Sequence, residues 1–186
     1  MTRLAVVLGT VRPNRAGVGV AEWVVAKADT VEGVEAELVD IAAFNLPLFA
    51  EPLPTAMAAP TDRQGAAFNE AMAGFDAYII VTPEYNHSIP GALKNAIDFL
   101  EPKTLAHKGV GFVSYSFTGG LRPVEHLRQI LANFEAATVN PQVALSMVTD
   151  FENMSVFNPA DYHDGEVPAM VETIVARTEA LAPLRS

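Results

Sequence analysis

Short apolar runs alternate with longer amphipathic stretches along this chain. Nearly unbroken apolar runs occur at Leu4–Leu8, Tyr78–Val81 and Val110–Ser114, and runs of this length predict strands that are buried on both faces of a sheet. Looser alternation predicts two more strands, at Val34–Ile41 and Thr138–Met147. Because a helical stretch follows each predicted strand, the pattern favours a parallel sheet with helices packed on both of its faces.

The amphipathic stretches have the apolar spacing of helices. The predicted helices cover Val18–Ala28, Arg63–Gly74, Ile89–Leu100, Val124–Phe134 and Val167–Leu181. Two segments, 45–61 and 149–166, lack helical or strand periodicity and are predicted to be loops. With no repeat or linker between these elements, we expect residues 1–186 to form a single domain.

Composition limits the chemistry that this chain can carry out. There are no cysteines among the 186 residues, so disulfides, thiolate catalysis and cysteine-based metal sites are excluded, and redox chemistry would require a bound cofactor. The formal net charge of −10 argues against a nucleic-acid-binding surface. His107, His126 and His163 share no metal-ligand spacing, and we predict no metal site. The apolar run near the N-terminus is too short for a signal peptide or a membrane span, which favours a soluble cytoplasmic protein.

The segment between the first strand and the first helix has the features of a phosphate site. Amide groups at the N-terminus of a helix favour an anion, Thr10 supplies a hydroxyl, and the guanidinium groups of Arg12 and Arg15 suit phosphate oxygens. The Gly-Lys-Ser/Thr ending of a P-loop is absent, and Gly17 and Gly19 come too late for a dinucleotide fingerprint. The alternative is a solvated loop in which the arginines are incidental.

A second segment rich in polar and aromatic side chains, Pro83–Asn86, follows the third predicted strand. In a sheet of order 2-1-3-4-5 the first and third strands are neighbours, so this segment and the predicted phosphate site would line one crevice. A flat ligand would lie against the Tyr85 ring, with Asn86 and backbone amides at its heteroatoms. Ser88 is predicted to cap the helix that begins near Pro90.

The fourth predicted strand leads into a third segment, Ser114–Gly120. Its small residues let the backbone approach a flat ligand closely. Tyr115 and Phe117 lie among them, and the sequence suits them equally to packing and to stacking on a substrate. Three loops at one edge of the sheet would therefore hold a phosphate at one end and an aromatic ring at the other.

Two motifs in these loops resemble those of the NADPH-dependent FMN reductase family, which includes quinone, azo-dye and chromate reductases. They are Gly-Thr-x-Arg-x-x-Arg, which begins at Gly9, and Pro-Glu-Tyr-Asn-x-Ser-x-Pro-Gly-x-Leu-Lys-Asn-Ala-Ile-Asp, which begins at Pro83. The resemblance covers most of the chain and implies a flavodoxin-like α/β fold, a three-layer sandwich around a five-stranded parallel sheet in the order 2-1-3-4-5. Many members have Ser and Asn where this chain has Arg15 and Gly17.

The resemblance also implies a role for each of the three loops. The first would hold the phosphate of FMN, the second would contact the isoalloxazine and ribityl chain, and the third would pack by the other edge of the ring. The implied cofactor-binding residues are Thr10, Arg12, Arg15, Gly17, Val18, Pro83, Glu84, Tyr85, Asn86, Ser114, Ser116, Gly119 and Gly120. No side chain is implied as a catalytic acid or base, because the chemistry takes place at flavin N5.

We therefore predict an FMN-dependent NAD(P)H oxidoreductase. Hydride would pass from NAD(P)H to FMN and then, in a ping-pong cycle, to a quinone, a flavin or a similar small acceptor. A flavodoxin-type electron carrier is an alternative that the net charge of −10 favours, and the departure at Arg15 and Gly17 favours a binding module that has lost its flavin. The family suggests a homodimer or homotetramer, with no nucleic-acid or membrane partner, and does not distinguish NADH from NADPH.

Overall fold

A computed structural model describes residues 1–185, and a parallel sheet of five strands lies at the centre of the fold. The strands are β1 Thr2–Leu8, β2 Val34–Asp40, β3 Ala77–Pro83, β4 Gly109–Ser116 and β5 Ala137–Ser146. They lie in the order β2-β1-β3-β4-β5, and every pair of neighbours is parallel. All five predicted strands and their predicted order are therefore confirmed.

Helices cover both faces of the sheet. They are α1 Gly17–Ala28, α2 Arg63–Ala73, α3 Gly91–Asp98, α4 Pro102–Leu105, α5 Leu121–Ala132 and α6 Glu166–Ala180. Buried side chains of α1 and α6 belong to one hydrophobic cluster, and those of α2, α3 and α5 belong to the other. This arrangement confirms the predicted flavodoxin-like three-layer sandwich. Within residues 1–185, no helix combines the length and the apolar content needed to cross a membrane.

The unbroken apolar run of β1 is explained by burial on both faces of the sheet. Leu4, Val6 and Leu8 pack into the cluster on the α1 side, whereas Ala5 and Val7 pack into the opposite cluster. Successive side chains of a strand point to opposite faces, so a central strand needs apolar residues at consecutive positions. The same requirement accounts for β3, in which every residue is buried.

Some element ends differ from the predicted ones. Strand β2 ends at Asp40 because Ile41 begins a 3-10 turn, and the Asp40 side chain accepts a hydrogen bond of 3.0 Å from the Ala42 N–H. Helix α5 begins earlier than predicted, at Leu121, since Pro123 is tolerated in the first turn, where a missing N–H has no helical partner. The one-turn helix α4 is too short to show periodicity and is absent from the predicted elements.

The segment 149–166, predicted to be an irregular loop, contains regular structure. It forms a hairpin of two short strands, β6 Phe151–Glu152 and β7 Val156–Phe157, followed by a 3-10 turn at Asp161–Gly165. Strands of two residues are too short to show alternation, so the sequence pattern misses them. The hairpin follows the carboxyl end of β5 and therefore lies at the same edge of the sheet as the three predicted ligand loops.

Candidate active site

A cavity of about 410 Å³ lies at the carboxyl edge of the sheet. Its wall is formed by the last residues of β3 and β4 and by the segments that follow β1, β3, β4 and β5. The lining residues are Arg12, Asn14, Arg15, Ala16, Pro83, Glu84, Tyr85, Tyr115, Ser116, Phe117, Met147, Met154 and Ser155. The predicted cofactor-binding residues among them are Arg12, Arg15, Pro83, Glu84, Tyr85 and Ser116. The cavity thus brings together residues from all three predicted loops.

The first two loops are joined through Tyr85. Thr10 is fully buried, and its hydroxyl shares a hydrogen bond of 2.9 Å with the Tyr85 hydroxyl. The guanidinium carbon of the exposed Arg12 lies 5.7 Å from the centre of the Tyr85 ring, within the range of a cation–π interaction. Tyr85 is therefore held at its hydroxyl and at its face, and it forms part of the cavity wall.

Arg15 lies in the cavity wall and is already engaged by the protein. Its Nη2 forms an ion pair with Oδ2 of Asp40, at the end of β2. The strand register pairs Leu8 with Asp40, which brings this carboxylate beside the first loop. The Nε–H of Arg15 is buried and has no hydrogen-bond partner in the described part of the chain. The guanidinium therefore keeps an unused donor beside the cavity.

Helix α1 begins at the cavity without a capping side chain. Ala16 occupies the N-cap and lines the cavity, and the first turn contains no acidic residue. The next two residues, Gly17 and Val18, do not line the cavity. The Val18 N–H donates a hydrogen bond of 3.4 Å to the Arg15 carbonyl. The partial positive charge of the helix N-terminus adds to the positive potential of Arg12 and Arg15.

Gly17 is fitted against Tyr115. A Cβ atom on Gly17 would overlap the Tyr115 hydroxyl oxygen, so the close approach requires glycine. Burial raises the pKa of the Tyr115 hydroxyl, and the neighbouring Tyr85 raises it further, while the two loop arginines and a hydrogen bond with the Gly17 backbone act in the opposite direction. The net direction is upward, so Tyr115 stays protonated near neutral pH.

The two aromatic residues of the third loop have different environments. Tyr115 is 6% exposed and packs against Phe151, with ring centres 5.8 Å apart. Phe117 is 66% exposed at the cavity. Tyr115 is therefore mainly a packing residue whose remaining surface lines the cavity, whereas most of the Phe117 side chain is open to a ligand.

The Pro83–Asn86 segment continues into a tight hairpin. Backbone hydrogen bonds of 2.9 and 3.1 Å join Tyr85 and Ser88 in both directions. The two residues between them, Asn86 and His87, have φ values of 48° and 71°, as in a type I′ turn. Asn86 is exposed at the tip and does not line the cavity. Its contribution here is the left-handed turn, which asparagine tolerates better than most residues.

The prediction that Ser88 caps the next helix is wrong. Helix α3 begins at Gly91 after Pro90, and no side chain caps it. The Ser88 hydroxyl instead forms a hydrogen bond of 2.8 Å with Nδ1 of His126, on α5. Because the tight turn reverses the chain at Ser88, this side chain reaches α5 rather than the start of α3.

Glu84 connects the second loop to the third. Its side chain is 8% exposed and accepts a hydrogen bond of 2.7 Å from Arg122, in the first turn of α5. The Ser116 hydroxyl lies 3.3 Å from the other carboxylate oxygen and accepts hydrogen bonds from the N–H groups of Thr118 and Gly120. The third loop therefore folds around the Ser116 side chain, which lines the cavity.

Three predicted residues, Ser114, Gly119 and Gly120, shape the third loop without lining the cavity. Ser114 is fully buried and donates a hydrogen bond of 2.6 Å to the Gly119 carbonyl. Gly119 and Gly120 have φ values of 78° and 69°, and a Cβ on Gly120 would lie 2.9 Å from the Ser114 Cβ. Glycine is therefore required both by the turn and by the close approach of the backbone.

The predicted set lacks the segment that follows β5. Met147, Met154 and Ser155 line the cavity, and so do Asn14 and Ala16 of the first loop, but none of the five is among the predicted residues. The strand order places the carboxyl end of β5 beside that of β4, so this segment must border the same edge of the sheet. The strand order is therefore the signal that could have identified this segment, since its composition does not distinguish it from an ordinary loop.

The cavity fits the cofactor that the motifs imply. Arginines and an uncapped helix N-terminus lie at the first loop and suit a phosphate, and the unused Nε–H of Arg15 is a donor that an anion would satisfy. The Tyr85 side chain offers aromatic surface to the cofactor ring. Within residues 1–185, no group of three or more histidine, aspartate or glutamate side chains is arranged to hold a metal ion.

Known proteins resemble this chain in sequence. Residues 2–150 match the family described as NADPH-dependent FMN reductase. The NAD(P)H-dependent FMN reductase ntnL of Nectria sp. is 36% identical over 137 residues, which cover 70% of this chain and 68% of that protein. The quinone reductase of Escherichia coli K12 is 40% identical over 106 residues, which cover 54% of this chain and 53% of that enzyme. The chain therefore spans about half the length of this second relative.

Solved structures resemble the fold. The flavoenzyme NAD(P)H:(acceptor) oxidoreductase FerB of Paracoccus denitrificans superposes with a TM-score of 0.74 and 20% identity, covering 97% of this chain and 98% of FerB. The apo form of the NADH:FMN oxidoreductase EMOB superposes with a TM-score of 0.70 and 16% identity, covering 96% of this chain and 90% of EMOB. At these identities the likeness establishes the fold alone.

Proposed function

The chain belongs to the NADPH-dependent FMN reductase family, and on that premise we propose that it passes electrons from NAD(P)H to a quinone, a free flavin or a similar small acceptor in a ping-pong cycle. As a member of this family it is an oxidoreductase that uses FMN with NAD(P)H as the electron donor. The observation that supports the proposal most directly is the cavity, where one edge of the sheet brings cationic and aromatic groups together.

In this proposal the first loop binds the phosphate of FMN. Arg12 and Arg15 donate charge-assisted hydrogen bonds to phosphate oxygens, and the backbone N–H groups of Gly17 and Val18 add the partial positive charge of the α1 N-terminus. The buried Nε–H of Arg15 thereby gains the partner that it lacks. Thr10 acts indirectly, because its hydrogen bond to Tyr85 fixes the distance between the phosphate loop and the ring-binding loop.

The second and third loops hold the ring system in this proposal. Pro83, Glu84, Tyr85 and Ser116 contribute cavity wall. The remaining proposed residues set the backbone path around the ring, and these are Asn86, Ser114, Gly119 and Gly120. When bound, FMN supplies the hydride- and electron-transfer chemistry that the side chains of this chain do not provide.

No side chain at the cavity is assigned as a catalytic acid or base. Burial raises the pKa of the Tyr115 hydroxyl and keeps it protonated near neutral pH. Glu84 is engaged by Arg122 and Ser116, so its carboxylate serves to hold loops together. Protons that the reduced acceptor needs therefore come from water.

Exposed apolar residues of segment 45–61 support a homodimer or homotetramer. Leu48, Leu53 and Met57 are 85%, 47% and 73% exposed, so three large apolar side chains within one short segment face water, and exposed apolar surface often marks an interaction site. A groove of about 370 Å³ lies between this segment and helices α3 and α5. A second copy that covers this surface would withdraw it from water. Light scattering after gel filtration tests the proposal, and a monomer at micromolar concentration would contradict it.

We also propose that the chain forms a single domain and that the protein is located in the cytoplasm. Both hydrophobic clusters pack against one sheet, which supports a single domain over residues 1–186. The absence of cysteines is compatible with the cytoplasm, where disulfides are rare.

The experiment that tests the proposed function is an absorbance spectrum of the purified protein before and after anaerobic addition of NADPH. Flavin bands that bleach with NADPH and return when a quinone is added support a reductase. Bands that persist with NADPH favour the flavodoxin-type carrier, for which the net charge of −10 is suited to a basic partner. A protein that shows no flavin bands after incubation with FMN and removal of the unbound FMN would contradict the proposed cofactor site. A parallel titration with NADH determines which donor is preferred.

A further inference from the structure

One side of the cavity wall carries the charged side chains, and the other side carries the large apolar ones. Its charged side chains come from the segments after β1 and β3, whereas its large apolar side chains, other than tyrosine, come from the segments after β4 and β5. These apolar residues are Phe117, Met147 and Met154. Phe117 and Met154 are 66% and 57% exposed, although side chains of this kind are usually withdrawn from water. Apolar surface exposed beside a cavity is typical of a ligand-binding site.

Met154 occupies a backbone position that favours glycine. Asn153 and Met154 have φ values of 49° and 55°, and the Ser155 N–H closes the turn with a hydrogen bond of 3.1 Å to the Glu152 carbonyl. This is the pattern of a type I′ turn, in which glycine is preferred at the second central position. A long side chain in this conformation is strained, and strain of this kind is typical of functional sites.

The hairpin that carries Met154 is anchored at its base by Asp150. The Asp150 side chain is fully buried and accepts hydrogen bonds of 2.8 Å from the Ser146 N–H and 3.1 Å from the Ala160 N–H. Its backbone carbonyl accepts a further bond of 2.9 Å from the Asn158 N–H. One residue thus ties the two ends of the hairpin together and makes it a fixed part of the cavity wall.

Aromatic packing supports the hairpin from behind. Phe157 lies 5.2 Å from Phe151 and 5.5 Å from Trp23 of α1, measured between ring centres. Phe151 in turn packs against Tyr115, which lines the cavity. Trp23 is the single tryptophan of the chain, so its fluorescence reports on this hairpin.

We propose that Met154, together with Phe117, forms the surface that receives the ring of an apolar electron acceptor and so determines which acceptors the enzyme prefers. This inference rests on the proposed reductase function. A thioether makes favourable contacts with an aromatic ring, whereas a small hydrophilic acceptor gains little from such a surface. In the net reaction NAD(P)H loses a hydride, and a quinone gains those two electrons and that proton together with one further proton from water.

The test compares two variants at the same strained position. Met154→Gln keeps the length of the side chain but makes its end polar, whereas Met154→Leu keeps the side chain apolar. Both variants keep a residue other than glycine at this positive φ, so the backbone strain is the same. Val148→Gln is the matched control, because Val148 is 70% exposed on the same segment and does not line the cavity. The probes are 2-methyl-1,4-naphthoquinone as the apolar acceptor and ferricyanide as the hydrophilic one.

Two measurements separate binding from turnover. Trp23 fluorescence gives the Kd of the oxidised holoenzyme for the naphthoquinone without NADPH, and steady-state kinetics give KM and kcat for both acceptors. We expect Met154→Gln to raise the Kd and KM for the naphthoquinone by about tenfold, while kcat/KM for ferricyanide stays within about twofold. Met154→Leu keeps an apolar side chain but loses the thioether, so it should lose clearly less naphthoquinone affinity than Met154→Gln, and Val148→Gln should stay within about twofold of the wild type for both acceptors.

Several results would overturn the inference. An unchanged naphthoquinone Kd in Met154→Gln, an equal loss with both acceptors, a loss of FMN affinity, or the same effect in Val148→Gln would each exclude a specific acceptor surface at Met154. Failure of the reductase function has a different signature, because the wild-type flavin would then not bleach with NADPH. The equilibrium measurement of naphthoquinone binding is unaffected by that outcome.

Discussion

The hydroxyl groups of Thr10 and Tyr85 share a hydrogen bond of 2.9 Å, although 75 positions separate the two residues in the chain. The bond joins the segment after β1 to the segment after β3. Thr10 is fully buried, so water cannot readily replace Tyr85 as its partner. The bond therefore fixes the spacing between the loop proposed to bind a phosphate and the loop proposed to bind a ring.

Thr10→Val keeps the shape of the side chain and removes this hydrogen bond. We expect FMN affinity to fall by about fivefold, equivalent to about 1 kcal/mol for one hydrogen bond, and we expect a similar loss in Tyr85→Phe. The double variant should lose little more than either single one, because both changes remove the same interaction. Titration of the apoprotein with FMN by flavin fluorescence measures these affinities.

The control for this prediction is Tyr162→Phe, at a tyrosine that is 66% exposed and does not line the cavity. It should bind FMN as the wild type does. Losses in Thr10→Val and Tyr85→Phe that add up fully in the double variant would contradict a shared role for the two hydroxyls.

Removing Arg122 alone from its ion pair with Glu84 should lower the stability of the fold, because the Glu84 carboxylate then lacks its charged partner. Arg122→Gln leaves a carboxylate that is 8% exposed with Ser116 as its remaining hydrogen-bond partner among the described residues. We expect the free energy of unfolding in urea to fall by about 1–2 kcal/mol, less than for a fully buried pair because half of the Arg122 side chain is in water.

A second change at Glu84 checks this explanation. The double variant Glu84→Gln/Arg122→Gln should recover part of the lost stability, because it removes the uncompensated charge. Arg63→Gln, at an exposed arginine of α2, serves as the control and should unfold like the wild type. A double variant less stable than Arg122→Gln would show that charge is not the cause.

Gly17 and Tyr115 provide a prediction about close packing. Gly17→Ala would place a Cβ against the Tyr115 hydroxyl, and we expect it to lower the free energy of unfolding by about 1–3 kcal/mol through overpacking. Tyr115→Phe removes the hydroxyl oxygen that lies nearest to this Cβ, so the double variant should be more stable than Gly17→Ala alone. Because Leu8 also lies near this position, the recovery should be partial. Thermal unfolding of the three variants measures it.

The sequence pattern predicts the five strands and the parallel sheet, and the family resemblance supplies the strand order. The apolar runs of β1 and β3 follow from burial on two faces, and the carboxyl ends of parallel strands meet at one edge. The long Pro83 motif then identifies the cofactor class. Each of these steps uses information that is local along the chain or shared by the whole fold class.

The parts that the sequence does not predict depend on tertiary contacts or on very short elements. The Arg15–Asp40 ion pair arises from the register of β1 and β2. Ser114 and Ser116 are two positions apart on one strand, yet one is buried under a turn and the other lines the cavity. Met154 lies on a hairpin whose strands have two residues each, below the length at which alternation can be seen.

Asp150 should give the stability of the fold a defined pH dependence. Burial acts to raise the pKa of its carboxyl group, but hydrogen bonds from two backbone N–H groups and a hydroxyl, together with His163, lower it by more, so the net direction is below the usual value. A carboxylate with a lowered pKa stabilises the folded state above its unfolded pKa of about 3.9, and this contribution is lost as the pH falls through the folded-state value.

Asp150→Asn tests this dependence without a change in shape. The amide NH₂ group cannot accept the hydrogen bonds that the second carboxylate oxygen accepts, so we expect the free energy of unfolding to fall by about 1–3 kcal/mol at neutral pH. The difference from the wild type should begin to narrow below about pH 4, where Asp150 of the unfolded chain becomes protonated, and should keep narrowing as the pH falls toward the lower folded-state pKa. Asp161→Asn, at an exposed aspartate of the same segment, is the control and should leave the neutral-pH stability unchanged. Urea unfolding from about pH 3 to pH 8 covers this range, and a difference that stays constant down to the acid limit would contradict the assignment to the Asp150 carboxylate.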